Sequence, residues 1–389
     1  MLLKLGLFFT LLLLLPDWYI DRNLLKHIGY KRLRIFYWIP SGLLLAGMLF
    51  VFTLYRPGPE AMQQLSNFLL IFLCFSVPKA LFVLIHLLLR GMARITGKKL
   101  YGEQLAGALA IASLIYIVYG ATAGKENFTV REVTFQSADL PQGFDGYRIL
   151  QLSDLHTGSW KGNGKALQRA VDLCNRQQAD VIVFTGDLVN NLASELKEFT
   201  PILAGLKAKD GVFSVLGNHD YSPYIKWESP EMQQRNLEQL IRYEQEMGWK
   251  LLMNEHRILY SGKDSIVLAG VENSGNPPFP NKGDLKKALA GTDGLFKVLL
   301  SHDPTHWKRE VLPQSDVQLM LAGHTHNMQF SLLGWSPSGL VYPEHEGLYT
   351  IHDRGLYVNI GLGYLMFPMR LGAWPEITVI TLKKKVTEV

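Results

Sequence analysis

Apolar positions fall into two regimes along the chain. In the first third they form long uninterrupted runs. Ile35 to Tyr55 and Leu105 to Ala123 contain no charged residue, and each is long enough as a helix to cross a hydrocarbon core of about 30 Å. Asn67 to Leu89 reads the same way, although Pro78, Lys79 and His86 interrupt it; such residues in a span ordinarily face a bundle interior. Leu5 to Ile20 is shorter and contains Asp17, so it reads as a span or a signal peptide. No small-residue cleavage site follows it, which favours a retained helix. The pattern therefore predicts four spans, 5–20, 35–55, 67–89 and 105–123, forming an anchor over residues 1–123.

From Tyr147 onward the pattern changes to short aliphatic runs separated by amphipathic stretches. "YRILQLSDLH", "ADVIVFTGD", "GVFSVLGNHD", "FKVLLSHDP" and "VQLMLAGHTH" share one form, an apolar strand followed by a polar tip. "GKALQRAVDLCNRQQ" and "SPEMQQRNLEQLIRYEQEMG" carry helical periodicity, the latter with Leu237, Leu240 and Ile241 on its apolar side. Strands alternating with helical crossovers predict a layered α/β domain over residues 124–389, with polar groups gathered at the carboxyl ends of its strands.

Charge orients the anchor. The net charge of +5 over 389 residues is modest, and its excess lies beside the apolar runs. Asp21 to Arg34 holds Arg22, Lys26, Lys31, Arg32 and Arg34, and Arg90 to Gln104 holds Arg90, Arg94, Lys98 and Lys99. Arg56 to Ser66 has only Arg56, offset by Glu60. The positive-inside bias makes both rich loops cytoplasmic and puts Gly124 onward on the extracytoplasmic side of a plasma or inner membrane. Losing the first span leaves that parity unchanged. No block of basic and aromatic residues points to nucleic acid. Two cysteines, Cys74 and Cys174, exclude a disulfide framework. Lys79 and His86 are too few polar residues to line a transport path.

The polar tips carry the candidate chemistry. They hold Asp154 and His156; Asp187; Asn218, His219 and Asp220; His302; and His324 and His326, five of the eleven histidines. Any one tip alone reads as a cap or turn. All five at strand ends are hard to explain by capping. Residues two apart on an extended backbone project the same way, so Asp154 with His156, and His324 with His326, are each expected to chelate or bridge. Gly186, Gly217 and Gly323 allow the chain to turn close beside such a site.

The order Asp-x-His, Gly-Asp, Gly-Asn-His-Asp, His, Gly-His-x-His over Ser153 to His326 resembles the calcineurin-like metallophosphoesterase superfamily. The resemblance implies a calcineurin-like four-layer α/β fold, a β-sandwich flanked by helices and here preceded by an α-helical transmembrane anchor. It further implies two divalent metal ions. Asp154, His156, Asp187 and His326 would hold one ion, and Asp187, Asn218, His302 and His324 the other, with Asp187 bridging. Carboxylate, amide and imidazole donors suit manganese, iron or zinc alike. The implied reaction is in-line attack on phosphorus by a hydroxide shared between the ions. His219 would be a non-ligand that stabilises the transition state or protonates the leaving group, its ring oriented by a hydrogen bond to Asp220; the bland alternative is a buried structural histidine. His306, His345 and His352 match no motif position.

Phosphoprotein phosphatases follow Gly-Asp with an arginine, and "GDLVNNLASELKEF" has none. The C-terminal "RGLYVNIGLGYLMFPMRLGAWPEITVITL" resembles instead the YkuE- and YaeI-like branch, and the four-span anchor is similar to transmembrane proteins with a metallophosphoesterase domain. That branch reads Gly-Gly-Gln after its last histidine, where this chain has Asn327, Met328 and Gln329. Leu332, Leu333, Trp335, Leu340 and Tyr342 form either an apolar lip or part of the core. The expected substrate is a phosphorylated small molecule or lipid, with a lipid phosphodiester or pyrophosphate leading. Hydrolysis of UDP-2,3-diacylglucosamine toward lipid A is an alternative, opposed by the extracytoplasmic placement. A non-catalytic membrane scaffold is another, opposed by the complete ligand set.

Overall fold

A computed structural model describes residues 2–27, 31–53, 59–97 and 101–385. Arg56, Lys98, Lys99 and the end of the second expected span, Leu54 and Tyr55, lie outside the described residues. The chain divides into two compact units, one built on Met1–Ala123 and the other on Gly124–Leu365 with Arg370–Val389.

The first unit is helical: α1 (Leu2–Asn23), α2 (Lys31–Thr53), α3 (Pro59–Thr96) and α4 (Gly102–Ala121). Three segments among the described residues, Arg32–Val51, Gln63–Thr96 and Gly102–Glu126, are long and apolar enough to cross a membrane, and they form a transmembrane anchor. α1 is not among those three segments and carries Asp17, Asp21 and Arg22. Both aspartates are paired, however. Asp17 is fully buried and accepts hydrogen bonds from Tyr37 Oη at 2.6 Å, from Ser41 Oγ and from Lys79 Nζ at 2.7 Å. Arg34 donates two bonds of 2.6 Å to Asp21. The Lys79 ammonium also lies over the Phe75 and Tyr37 rings. Charge in an apolar helix is tolerable only when paired in this way, and the Asp17 cluster ties α1 to α2 and α3.

The second unit is a sandwich of two six-stranded sheets. In the first sheet β1 (Thr129–Ser137), β2 (Arg148–Leu152), β3 (Val181–Phe184), β4 (Val212–Ser214), β5 (Lys250–Leu251) and β12 (Glu376–Lys384) lie in the order β1-β12-β2-β3-β4-β5. In the second, β6 (Glu255–Ser261), β7 (Asp264–Gly270), β8 (Lys297–Leu300), β9 (Leu319–Ala322), β10 (Gly347–Ile351) and β11 (Arg354–Val358) lie in the order β10-β11-β9-β8-β7-β6. The central strands β2, β3 and β4 are mutually parallel, as are β8 and β9. Parallel strands with both faces covered read as unbroken apolar runs, which is why these five are the most legible in the sequence.

Alternation along each strand sorts the core. Val181 and Val183 of β3 pack inward with Leu268, Val298, Leu300, Leu319 and Leu321 of the facing sheet. Ile182 and Phe184 point outward onto Leu167 and Val171 of α5 (Gly164–Arg176), Leu203 of α6 (Thr200–Leu203), and Leu237 and Leu240 of α7 (Pro230–Glu246). Val267, Leu299 and Met320 point outward onto Trp307 and Val311. Helix, sheet, sheet, helix is thus the layer order, as the resemblance implied. Because the strands on each side are parallel, the loops after β2, β3, β4, β8 and β9 all leave from carboxyl ends. The two sheet edges adjoin there, with Gln151 Nε2 donating to the Ala322 carbonyl at 2.8 Å.

Candidate metal centre

Those five loops deliver the motif residues to one place. Asp154, His156 and His326 form one group of candidate ligands, and Asp187, His302 and His324 a second; within each group the ligand atoms lie within 4.8 Å of one another. Asp187 Oδ2 stands between them, 3.7 Å from His156 Nε2 and 3.2 Å from His302 Nε2. His326 Nε2 is 3.2 Å from Asp154 Oδ1 and 3.0 Å from His156 Nε2. His302 Nδ1 donates to the Thr185 carbonyl across the sandwich at 2.7 Å, which points its Nε2 at Asp187.

The local backbone departs from the extended form that the Asp-x-His and His-x-His spacings suggest. Asp154, His156, Asp187, His324 and His326 all adopt positive φ, between 49° and 75°. His324 and His326 consequently turn into different ligand groups rather than projecting the same way. Left-handed backbone costs a non-glycine residue on the order of 1–2 kcal/mol and persists only where the surroundings impose it. Here the backbone amides impose it: Asp154 N–H donates to Gly186 O at 2.9 Å, His156 N–H to Asp187 O at 3.1 Å, and His324 N–H to the Asp154 carboxylate at 3.0 Å. Gly323 is required by proximity, since a Cβ there would strike Ser153 Oγ and the Asp154 carboxylate. The left-handed run continues through Asn327, Met328 and Gln329. Buried Asn327 is held there by its side-chain bond to Glu346 at 2.7 Å.

Three observations test whether these residues suit cations. The buried Asn218 Oδ1 has no hydrogen-bond partner, while its Nδ2 donates to Tyr224 Oη at 2.8 Å. His156 and His326 bring two imidazole nitrogens to 3.0 Å, a spacing natural for co-ligands. Burial lowers His302, but the Asp187 carboxylate overrides this and holds it up at about 10. The Asp187 carboxylate thus draws positive charge to His302 Nε2, and binding of a cation by that nitrogen would require its proton to leave. Burial raises Asp154 and Asp187, yet the facing imidazoles leave both below the ordinary carboxylate range. Burial lowers His156 and His324, which favours the neutral, ligating form. The residues fit two divalent cations.

His219 lies edge-on to His156 and beside the Tyr224 ring. Its Nδ1 donates to the Asn190 carbonyl at 2.6 Å, and its backbone N–H donates to Asp187 Oδ1 at 2.8 Å. Asp220 does not orient the ring, contrary to the expectation. Its Oδ1 accepts from the amides of Leu188 and Val189 at 2.9 and 3.2 Å, and its Oδ2 from those of Asp187 and Gly217 at 2.9 and 2.8 Å. Four donors saturate both oxygens, leaving the ring to a main-chain carbonyl. Burial and then the Asp187 charge push Asp220 up to about 7, against the pull of the amides. Burial lowers His219.

Sequence reasoning missed three contributors. Asp303 follows His302 directly; its buried Oδ2 has no hydrogen-bond partner and lies 3.9 Å from His324 Nε2. That signal stood in the motif itself. Tyr342 Oη lies 3.0 Å from the same nitrogen, and the Asn190 carbonyl holds His219. Neither is marked by any spacing. Leu332, Leu333, Trp335 and Leu340 are exposed, not core.

A helix-flanked sandwich with two adjoining carboxylate–imidazole groups at its strand ends is the arrangement of a metal-dependent hydrolase. The family model described as Calcineurin-like phosphoesterase matches residues 147–328, and that described as Probable Calcineurin-like phosphoesterase, transmembrane domain, matches residues 3–125. The uncharacterized metallophosphoesterase YkuE of Bacillus subtilis is 32% identical over 300 residues, covering 74% of this chain and 96% of that one. The transmembrane protein with metallophosphoesterase domain of Danio rerio is 32% identical over 294 residues, covering 72% of this chain and 63% of that one; the Bos taurus protein of that name is 31% identical over 293 residues, with the same shares. This chain thus spans 63% of the length of the two vertebrate relatives. The chain belongs to the calcineurin-like phosphoesterase family, whose members are metal-dependent phosphoester hydrolases, and it is a membrane protein.

Proposed function

We propose that the protein is a multi-pass membrane enzyme that cleaves phosphodiester or pyrophosphate bonds of a lipid-linked substrate, its catalytic unit of residues 124–389 lying on the extracytoplasmic face. The observation that carries the reading is the position of Asp187 Oδ2 between His156 and His302, which joins the two ligand groups into one centre. Asp154, His156, Asp187 and His326 would hold one ion, and Asp187, Asn218, His302 and His324 the other. Manganese, iron and zinc all suit these donors. Two such cations, when bound, acidify water and neutralise charge on phosphoryl oxygens.

The chain's own residues do the rest. Because the Asn190 carbonyl engages Nδ1–H of His219, Nε2 is the ring atom left to exchange a proton, and it serves the leaving oxygen. Asp220 is a positioning residue: its four amide bonds fix the turn that presents Asp187 and the Asn218–His219 pair. The placement of the unit is supported by the basic loops 21–34 and 90–104, and the fourth span, α1, by the pairing of Asp17 with Lys79. Confinement of the catalytic unit to a bilayer supports a lipid substrate.

The test is turnover of bis-p-nitrophenyl phosphate by the purified full chain with manganese. Turnover should be abolished by chelator, and His219→Ala should lose about 10²–10⁴-fold while retaining two ions per chain by elemental analysis. Chelator-insensitive turnover, or a variant as active as the wild type, overturns the reading. A surface cysteine on the catalytic unit should react with an impermeant thiol reagent in intact cells; reaction only after lysis overturns the assigned side.

A further inference from the structure

Between Phe330 and Tyr342 the catalytic unit carries "FSLLGWSPSGLVY", a stretch with no charged side chain. Leu332 and Trp335 exchange both backbone hydrogen bonds, at 2.9 and 3.0 Å, and so close a two-residue turn. Its central residues are Leu333 with φ of 52° and Gly334 with φ of 81°. Two positive φ values are the demand of a tight hairpin turn that asparagine and glycine meet best. A leucine here is strained, and its side chain is 100% exposed. Trp335, Leu340 and Val341 beside it are 57%, 80% and 60% exposed. Neither backbone preference nor burial within the domain accounts for that leucine.

The stretch is built as a rigid stage. Ser336 Oγ donates to the Asn327 carbonyl at 2.8 Å, Ser331 N–H to the Leu371 carbonyl at 2.7 Å, and Tyr342 Oη meets Nε2 of the ligand His324 at 3.0 Å. Its base is therefore fastened to the rim of the metal centre while its tip stands free in the unit.

We infer that this turn inserts into the hydrocarbon of the bilayer that holds the chain's own helices. Three observations choose lipid over a protein partner. The chain is a membrane protein, and only residues 122–128 join α4 to β1. Within that connection Glu126 is held by Asn163 Nδ2 and Arg169, each at 2.6 Å, so the tether to the last membrane helix is a few residues at about 3.5 Å each. The tip is a two-residue turn with few exposed apolar side chains, whereas a specific protein interface buries on the order of 1,000 Å² or more. Its composition, leucine and valine with one tryptophan and no charge, is that of an interfacial wedge. The inference deepens the lipid-substrate reading and rests on it for one consequence only: a seated tip holds the His324 edge of the centre at headgroup level.

The test uses the full chain with Cys74→Ala and Cys174→Ala, reconstituted in phosphatidylcholine–phosphatidylglycerol vesicles, with an environment-sensitive fluorophore on Leu333→Cys. Insertion predicts quenching by lipids bearing a nitroxide high on the acyl chain and protection from aqueous iodide. Iodide quenching without nitroxide quenching overturns the inference. So does energy transfer between labels on separate chains without nitroxide quenching, which would mean that a second copy covers the tip. Leu340→Cys offers an independent site should the first variant fail to fold. Elemental analysis of the same sample reports the metal centre separately, so failure of one reading is distinguishable from failure of the other.

Discussion

Replacing Asp220 by asparagine separates a scaffolding carboxylate from one that serves the His219 ring. Asp220 is buried and accepts four backbone N–H groups, two on each oxygen. Asparagine offers one oxygen; either way it is turned, two amides face its NH₂ group. Two buried donors without an acceptor cost about 1–3 kcal/mol each, so about 4 kcal/mol in all. At about 2–4 °C per kcal/mol for a domain of this size, the thermal midpoint should fall by about 8–16 °C. The donors belong to Asp187, Leu188, Val189 and Gly217, and Asp187 itself sits at φ of 59°. Releasing the turn should therefore reduce bound metal together with stability. The assay is thermal unfolding of the full chain in detergent, followed by tryptophan fluorescence, with elemental analysis of the same sample. His219→Ala should do the opposite, losing turnover while keeping midpoint and metal. Should Asp220→Asn unfold within about 2 °C of the wild type and change only the pH dependence of turnover, the carboxylate serves the ring and the reasoning fails.

Two further outcomes follow from buried charge. Glu244 of α7 is buried against Ser214 of β4, and burial pushes it from 4.5 up to about 8. Its folded-state value exceeds the unfolded one, so its contribution is fully present below about 4.5 and is lost as pH rises through about 8. Glu244→Gln should flatten a decline on the order of a few kcal/mol between about pH 5 and about pH 9, read as thermal midpoints at the two ends; parallel curves for variant and wild type would refute this. In the anchor, Lys79→Met strands the buried carboxylate of Asp17 at a cost of about 3–5 kcal/mol, while the double variant Asp17→Asn with Lys79→Met should recover most of it. Survival of monodisperse protein after heating in detergent measures both, and an unimpaired single variant would show that the pair does not hold the helices together.

The legible parts of this protein share one physical property: their information is local. An uncharged run of twenty residues satisfies its own backbone as a helix, so α2 and α4 were readable without knowing their neighbours. Strands β2, β3, β4, β8 and β9 were readable because helices and a second sheet cover both faces, leaving unbroken apolar runs. The seven candidate ligands stood in contiguous motifs at the ends of those strands.

What escaped the sequence depends on contacts between distant segments. The resemblance assigns His324 and His326 to different ligand groups, as the structure has them, but nothing in their spacing reveals the left-handed turns that take them there; amides and carboxylates from other loops impose those turns. Asp220 adjoins His219 in the chain, yet the packing of the loops after β3 and β4 claims it for four amides and assigns the ring to the Asn190 carbonyl. Tyr342 reaches His324 only because the stretch after the last motif folds back, and the same fold leaves Leu333 in the open rather than in the core. The sequence by itself determined which residue types gather at one edge of a layered domain behind a membrane anchor, because hydrophobic periodicity encodes faces and strand ends. Which atoms meet there was decided by the tertiary structure alone, because a hydrogen bond needs its partner within about 3 Å, and only the packed sandwich brings those partners together.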